Sequence, residues 1–281
     1  LTMGQGPKDG KNEKNPVKSA LNAFKFRSIG PAFMSGRIAD IAIDPKNENV
    51  WYVAVGSGGV WKTENSGTTW TPLADNMPFY STGCITIDPH NNASIWLGTG
   101  ENVGGRHVGI GHGIYLSKDS GSTWDNMGLK KSEHISKIIV HPDNSDIIWV
   151  ASQGPLWNSG GDRGLFMSTD GGNTWSNKLY VNEWTGVTDI IIDPTNPDIL
   201  YAATWQRHRN VASLIDGGPG TSIYKSIDGG NTWAEIDSGL PSSNMGKIGL
   251  AISPMKPEVI YAAIELDRRS GAVFRSDKTC S

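Results

Sequence analysis

One eight-residue pattern occurs four times in the chain and limits what the chain can fold into. The copies begin at positions 63, 117, 168 and 226, and the clearest runs from Ser226 to Trp233 as Ser-Ile-Asp-Gly-Gly-Asn-Thr-Trp. A short apolar or aromatic run precedes each copy. Ser and Asp side chains can accept bonds from turn amides, Gly at the fifth place supplies positive φ, and Thr-Trp restarts a strand. Each copy is therefore predicted to be a hairpin turn with a structural role, and Trp124, Trp175 and Trp233 are predicted to be largely buried between sheets.

A second pattern, an apolar strand that ends at a proline, recurs with the same period as the first. Its five copies end at Asp44-Pro45, Asp88-Pro89, His141-Pro142, Asp193-Pro194 and Ser253-Pro254. A polar turn and an aromatic-apolar run follow each copy, so one unit contains strand A, a turn, strand B, a connection, strand C, the eight-residue turn and strand D. Four strands at a period between 50 and 60 residues predict the blades of a β-propeller, an all-β fold.

The two ends of the repeat leave the closure of the propeller open. Phe26 lies 18 residues before Asp44, which is the spacing from a motif Trp to the next proline turn. The fifth unit reaches strand C and stops at Ser276. Either the strand around Phe26 pairs with the strand around Phe274 and closes a ring of five units, or the chain is the N-terminal part of a longer propeller.

Composition and charge narrow the possible partners. The 281 residues include 35 Gly and 11 Trp, which suits many short strands and tight turns. The net charge is −3 and no basic stripe is present, so a nucleic-acid partner is not expected. No apolar run is long enough for a transmembrane helix.

Residues 1–23 are polar and are expected to be an extended arm. A disulfide between Cys84 and Cys280 is possible but not favoured.

The four turns resemble the Asp-box of the bacterial-neuraminidase (BNR) repeat families, which are β-propellers. The resemblance covers residues 24–281 and is closest to bacterial sortilin-like and glycosyl-hydrolase-like BNR proteins. It says little about activity, because the box occurs in sialidases, xyloglucan-cleaving hydrolases, sortilin-type receptors and photosystem assembly factors. The chain begins at Leu1 without an apolar leader, which fits either a mature exported product or a shortened chain. A secreted, periplasmic or cell-surface location is expected.

A binding surface is expected where the connections differ between blades. The A–B and C–D turns share one face and are uniform, whereas the B–C connections lie on the opposite face and vary in length and chemistry. Aromatic side chains among Arg donors and carboxylates suit a sugar or a peptide. The candidate ligand-binding residues on this face are Glu101, Arg106, His107, Trp157, Trp205, Arg207, Arg209, Glu265 and Arg268.

Each of these candidates also has a structural interpretation. The tryptophans could pack between blades, and the arginines could pair with nearby carboxylates as a rim network. The histidines occur in separate segments without metal-ligand spacing, so neither a metal nor another cofactor is expected.

Two classes of function remain, a binding protein and an enzyme. A glycosidase needs two carboxylates across its cleft. In the xyloglucan-cleaving relatives, the resemblance implies a catalytic Asp before a Gly-Gly-aromatic stretch, and here Gly56 stands at that place, before Ser57. The chain is therefore expected to be a non-catalytic binding or scaffold propeller for a protein, peptide or glycan, with a cell-surface complex as one setting. The alternative is a hydrolase of a β-glucan-type polysaccharide with a non-standard acid pair, for which the candidates are Glu101, Glu265 and Asp267.

Overall fold

The computed structural model describes residues 37–105, 108–236, 238–266 and 270–276. Within these ranges the chain forms twenty β-strands and no α-helix. The strands form five antiparallel sheets in chain order, which confirms the all-β, propeller-type fold expected from the repeats.

The first three sheets each contain four strands that pair in the order in which they occur. Blade one consists of β1 (Ile38–Ile43), β2 (Trp51–Val55), β3 (Gly59–Thr63) and β4 (Thr71–Pro72). Blade two consists of β5 (Thr82–Ile87), β6 (Ile95–Thr99), β7 (Ile114–Ser117) and β8 (Asp125–Gly128). Blade three consists of β9 (Ile135–His141), β10 (Asn144–Ser152), β11 (Gly164–Ser168) and β12 (Ser176–Leu179).

The fourth and fifth sheets depart from this plan. Blade four consists of β13 (Thr185–Ile192), β14 (Leu200–Arg209), β16 (Ile223–Ser226) and β17 (Ala234–Ile236), and β15 (Leu214–Asp216) pairs with the end of β14. The described part of blade five consists of β18 (Met245–Ser253), β19 (Lys256–Leu266) and β20 (Ser270–Ser276). The sequence predicted a plain loop where β15 and the end of β14 form a hairpin extension.

The hydrophobic core lies between the sheets. In β6, Leu97 packs in a cluster with Tyr52 of blade one, whereas Trp96 packs in a cluster with Ile138 of blade three. Strand B is consequently apolar on both faces, which explains its unbroken apolar sequence. The strands β1, β5, β9, β13 and β18, which are the A strands of the five blades, are each in contact with the next.

One apolar face of blade one remains open in the described part of the chain. Ile38, Ile41 and Ile43 are 61%, 51% and 51% exposed. The strand predicted around Phe26, its pairing with Phe274 and the arm at residues 1–23 lie outside the described residues. Closure of the ring and the division into an arm and a propeller therefore stay predictions.

The Asp-box turns have the hydrogen bonds that the sequence predicts. Asp228 Oδ1 accepts from the backbone amides of Asn231 at 3.0 Å and Thr232 at 2.9 Å, and Oδ2 accepts from the Thr232 hydroxyl at 2.7 Å. Asp119 and Asp170 accept from Thr in the same way, which confirms the prediction for all three. The Thr232 hydroxyl, followed by the turn amide, lowers the pKa of Asp228 to about 2.

The box tryptophans are less uniform than predicted. Trp124 is buried against Phe79, with the ring centroids 6.3 Å apart. Trp175 and Trp233 are only partly buried, and Trp70 is 39% exposed. The expectation of largely buried tryptophans thus holds for Trp124 and is too strong for Trp175 and Trp233.

Candidate functional site

Three consecutive residues, Glu101 to Val103, form a central segment that all four other blades contact. The segment follows β6, and Gly100 turns the chain into it with φ +86°. A Cβ at Gly100 would lie 1.8 Å from the carbonyl oxygen of Glu133, so no other residue fits this approach. The glycine therefore brings the B–C connection of blade two inward, against the strand-A elements.

Glu101 carries the central carboxylate and is 2% exposed. Its Oε1 accepts from Arg37 Nη2 at 2.6 Å and from the Ser57 hydroxyl at 3.2 Å, and its Oε2 accepts from the amide of Gly109 at 2.8 Å. A Cβ at Gly56 would lie 2.6 Å from Glu101 Oε1. The Glu101 carboxylate thus occupies the space into which a side chain at position 56 would project.

The other two members of the segment connect to blades three, four and five. Lys247 Nζ, from β18, donates to the carbonyl oxygen of Asn102 at 2.9 Å and to its Oδ1 at 2.8 Å. Gln153 Nε2, which follows β10, also donates to Asn102 Oδ1. Arg207 Nη1, from β14, donates to the carbonyl oxygen of Val103 at 3.2 Å.

Two cations lie over Trp205, beside the central segment. The Arg207 guanidinium is 4.7 Å and the Lys247 ammonium 5.5 Å from the ring centroid. Burial, followed by the charge of Arg163, lowers the pKa of Arg207 to about 9. Burial, followed by the charge of Arg207, lowers the pKa of Lys247 to about 8. Cation–π contact and nearby carboxylates offset part of the cost of burying these charges.

Several buried polar atoms here have no hydrogen-bond partner among the described residues. They are Trp205 Nε1, Arg207 Nε and Nη2, Asp216 Oδ1, Gln153 Oε1 and His134 Nδ1. Buried polar atoms are normally paired, with protein, water or ligand. The cluster therefore has unused capacity both to donate and to accept hydrogen bonds.

A pair of carboxylates, Asp216 and Glu265, borders the same cluster. Asp216 ends β15 and is half-buried, whereas Glu265 near the end of β19 is exposed. Burial, and after it the charge of Glu265, raises the pKa of Asp216. Glu265 Oε2 accepts from the Lys247 amide at 3.4 Å, which holds it near the start of β18.

Arg163 and His134 lie beside the cluster, and neither forms a salt bridge within the part of the chain that the structure describes. Arg163 is 1% exposed and donates to the carbonyl oxygens of Gln153 at 2.7 Å and Trp184 at 3.1 Å. It therefore fixes the B–C connection of blade three to the following blade. Burial, followed by the charge of Arg207, lowers the pKa of His134 to about 3, so this imidazole is neutral.

The structure brings some of the predicted site residues together and separates others. Glu101 belongs to the central segment, and Trp205, Arg207 and Glu265 lie in the cluster beside it. Trp157, which is 44% exposed, and Arg209, whose guanidinium is 5.9 Å from the Trp157 ring, form a second group. The remaining candidates, Arg106, His107, Asp267 and Arg268, lie outside the described residues.

Four residues of the cluster were missed by reasoning from the sequence. Asn102 and Gln153 lie in connections that were considered, but nothing in the sequence favoured them over their neighbours. Lys247 carries a charge within an apolar strand, and Asp216 follows the short apolar run Leu214-Ile215. A charge in or directly after an apolar run was the signal available for both.

No group of three or more His, Cys, Asp or Glu side chains within the described ranges is arranged to hold a metal ion. The same ranges contain no helix that is long and apolar enough to cross a membrane. Cys84 is buried as a free thiol, and Cys280 is not among the residues described.

The repeated blades, their Asp-box turns and the variable B–C face define a propeller of the BNR and sortilin-like class. The family model Sortilin-Vps10 (Sortilin, neurotensin receptor 3) matches residues 112–261, which is more than half of the chain. The chain therefore belongs to the Sortilin-Vps10 family.

Curated relatives are named as enzymes. A probable oligoxyloglucan-reducing end-specific xyloglucanase of Neosartorya fischeri is 22% identical over 240 residues, which cover 78% of this chain and 26% of the relative. A xyloglucanase of Acetivibrio thermocellus is 25% identical over 232 residues, which cover 74% of this chain and 26% of the relative. The chain thus spans about a quarter of the length of these relatives.

Solved structures show the same fold. The GH74 xyloglucanase of Xanthomonas campestris superimposes with a TM-score of 0.67 at 17% identity, covering 87% of this chain and 37% of that one. An ancestral GH74 enzyme gives a TM-score of 0.66 at 21% identity, covering 85% of this chain and 30% of that one. At these identities the likeness establishes the fold alone.

These relatives correct the functional expectation drawn from the sequence. The prediction of a non-catalytic binding or scaffold propeller is wrong, because the curated relatives along most of the chain are glycoside hydrolases. The inference from Gly56 considered one sequence position alone, whereas the Glu101 carboxylate of blade two reaches the space beside that position.

Proposed function

We propose that this chain is the propeller part of a glycoside hydrolase that acts on a β-glucan-type polysaccharide, with xyloglucan as the first candidate. The named activities of the curated relatives support the reaction class and the substrate. Because a polysaccharide does not cross the cytoplasmic membrane, such an activity belongs in a secreted, periplasmic or cell-surface protein.

The observation that carries the proposal is the position of Glu101. The resemblance implies a catalytic carboxylate at the place of Gly56, and the Glu101 carboxylate from the neighbouring blade fills the space beside that glycine. Glu101 would thus supply the carboxylate that the sequence lacks at position 56. Its ion-pair partner Arg37 has a side chain that is 55% exposed, so a substrate can displace it and reach the carboxylate.

The residues around Glu101 include a second carboxylate, an aromatic surface and a hydrogen-bond donor that a sugar chain could contact. Glu265 provides an exposed carboxylate next to the Lys247 amide. Trp157 presents an exposed aromatic surface of the kind on which sugar rings pack, and Arg209 lies beside it as a donor. Together with Asn102 and Gln153, these residues are the proposed substrate contacts.

The test is hydrolysis of xyloglucan, mixed-linkage β-glucan and cello-oligosaccharides by the purified chain, measured as released reducing ends. Wild-type protein should cleave at least one of these. Glu101→Gln keeps the size of the side chain and removes its charge, and should lower the rate on that substrate at least about 100-fold. The matched control is Glu48→Gln, because Glu48 is exposed in an A–B turn on the opposite face.

Thermal melting of both variants separates a catalytic loss from unfolding. Full activity of Glu101→Gln would remove Glu101 from the mechanism. Absence of hydrolysis by the wild-type protein on all three substrates would overturn the proposed function.

A further inference from the structure

Lys247 connects blade five to the central segment from an irregular part of its strand. In β18 the register shifts between Met245 and Ile248, so three steps along this strand oppose two steps along β19. A bulge of this kind redirects the side chains that it contains. The Lys247 ammonium reaches the B–C connection of blade two, where it donates to the Asn102 carbonyl oxygen at 2.9 Å and to Asn102 Oδ1 at 2.8 Å.

These bonds fix which end of the Asn102 side-chain amide faces the cluster. Asn102 Oδ1 accepts from the Lys247 ammonium of blade five and from Gln153 Nε2 of blade three. Because an ammonium can only donate, the amide nitrogen cannot take the place of this oxygen. Among the described residues, Asn102 Nδ2 donates only to the Ser136 carbonyl oxygen, at 3.5 Å. One N–H of Asn102 therefore remains for a hydroxyl or ring oxygen of a bound sugar.

The Lys247 ammonium makes these bonds without a carboxylate in contact. It forms no salt bridge within the described residues, although charged groups face it from every neighbouring strand. These groups are Arg207 on β14, Asp189 on β13, Asp216 on β15 and Glu265 on β19. Burial, followed by the charge of Arg207, outweighs the three carboxylates and lowers the pKa of Lys247 to about 8. Lys247 therefore holds Asn102 as a cation at neutral pH and as a neutral amine in more alkaline solution.

We propose that Lys247 is a positioning residue of the site, which fixes the backbone of the central segment and presents Asn102 Nδ2 to the substrate. The inference rests on the proposed glycoside hydrolase function, in which Asn102 contacts the substrate and the preceding Glu101 supplies a carboxylate. Lys247 acts through Asn102 and touches no reacting atom. Without its charge, the Asn102 amide can turn over and the segment loses its connection to blade five.

The first test is the rate of glucan hydrolysis. Lys247→Met keeps most of the side-chain length without the ammonium and should lower kcat/KM at least about tenfold, because misplaced substrate contacts cost rate. Lys247→Arg keeps a cation and should retain more activity than Lys247→Met. The matched control is Lys137→Met, because Lys137 is a half-buried lysine in the A strand of blade three and is not a hydrogen-bond partner of Asn102.

The pH dependence separates positioning from a purely structural role. The activity of the wild-type protein should fall as pH rises through about 8, and this fall should be absent in Lys247→Arg, whose guanidinium keeps its proton. In the unfolded chain Lys247 keeps its proton up to its ordinary pKa of 10.5. The unfolded state then binds more protons than the folded state between pH 8 and 10.5, so the free energy of unfolding should rise there relative to Lys247→Met. Activity and stability should therefore change in opposite directions.

A second readout needs no activity. The NMR signal of the Asn102 side-chain NH2 group can be assigned by its loss in Asn102→Asp. In the wild-type protein this signal should shift with a midpoint near pH 8, because the charge of the group bonded to Oδ1 changes there. The same midpoint should be absent in Lys247→Met and present in Lys137→Met.

The outcomes distinguish this inference from the function on which it rests. If the wild-type protein hydrolyses a glucan and Lys247→Met loses no more activity than Lys137→Met, Lys247 is not a positioning residue, although the enzyme assignment stands. A fall in activity near pH 8 that is unchanged in Lys247→Arg, or an Asn102 signal that does not shift there, would likewise overturn the inference. A wild-type protein that hydrolyses none of the glucans while the Asn102 signal shifts as expected would overturn the proposed function and leave the Lys247 contact established.

Discussion

The two adjacent glycines of the fourth Asp-box give a matched test of why the box has its sequence. Gly229 and Gly230 both have positive φ, at 71° and 84°. A Cβ at Gly229 would meet its nearest neighbour, Asp198 Oδ1, at an ordinary 3.5 Å. A Cβ at Gly230 would lie 2.5 Å from Nε1 of Trp149, which is fully buried.

The expected magnitudes follow from these two environments. Gly229→Ala brings only the cost of a left-handed backbone with a side chain, about 1 kcal/mol. Gly230→Ala brings the same cost, together with about 1–3 kcal/mol for overpacking against a core ring. Trp149 would also lose its 3.2 Å bond to the carbonyl oxygen of Gly229, worth about 1 kcal/mol. The total for Gly230→Ala is about 3–5 kcal/mol.

The assay is guanidinium unfolding followed by tryptophan fluorescence, with Gly229→Ser as a second control. Ser66 and Ser120 already occupy the corresponding position in the first two boxes with φ 54° and 59°, so Gly229→Ser should be tolerated. Equal destabilisation by Gly229→Ala and Gly230→Ala, within about 0.5 kcal/mol, would refute the reasoning. It would mean that backbone conformation alone, and not the contact with the preceding blade, selects glycine.

Two predictions concern pH. The pKa of Asp228 is lowered to about 2, so its contribution to stability is present above its ordinary pKa near 4 and is lost as pH falls towards 2. The urea concentration at the midpoint of unfolding should therefore fall less steeply between pH 5 and pH 2 in Asp228→Asn than in the wild-type protein. Identical pH slopes of this midpoint in the two proteins would contradict the prediction. His134, with its pKa lowered to about 3, stays neutral in the folded protein while the unfolded chain takes up a proton below about 6.5. The free energy of unfolding should therefore fall as pH drops from 6.5 towards 3, and it should fall less in His134→Gln. An NMR titration that shows a charged His134 imidazole in the folded protein at pH 5 would disprove the lowered pKa.

The fold could be predicted because each blade is encoded locally. The turn at Asp228, the apolar strand before it and the Trp after it are neighbours in sequence, and their order repeats. β15 could not be predicted in the same way, because Leu214-Ile215-Asp216 is short and lies among turn residues. Its pairing depends on β14 continuing past Trp205, which the sequence pattern does not require.

The sequence could predict on which face of the propeller the candidate site lies, but not which side chains form it. Assigning the variable connections to one side needed nothing more than the strand order. Which side chains meet there depends on how far each connection extends inward. Gly100 directs the chain towards Glu133, and the Lys247 ammonium then reaches Asn102 across 145 positions of sequence. No local pattern reports such a contact, and for this reason the sequence suggested Glu101 and missed Asn102, Asp216 and Lys247.

The central segment has a consequence for the order of events during folding. A blade closes through hairpins between consecutive strands, which are short-range contacts that form early. The bonds from Arg207 to Val103 and from Lys247 to Asn102 span 104 and 145 positions, so they must await the fourth and fifth blades. On the ribosome, the first three blades can order, and Gln153 can bond to Asn102, before the Lys247 donor has been synthesised. The contacts of the central segment are therefore completed only after β14 and β18 have been synthesised.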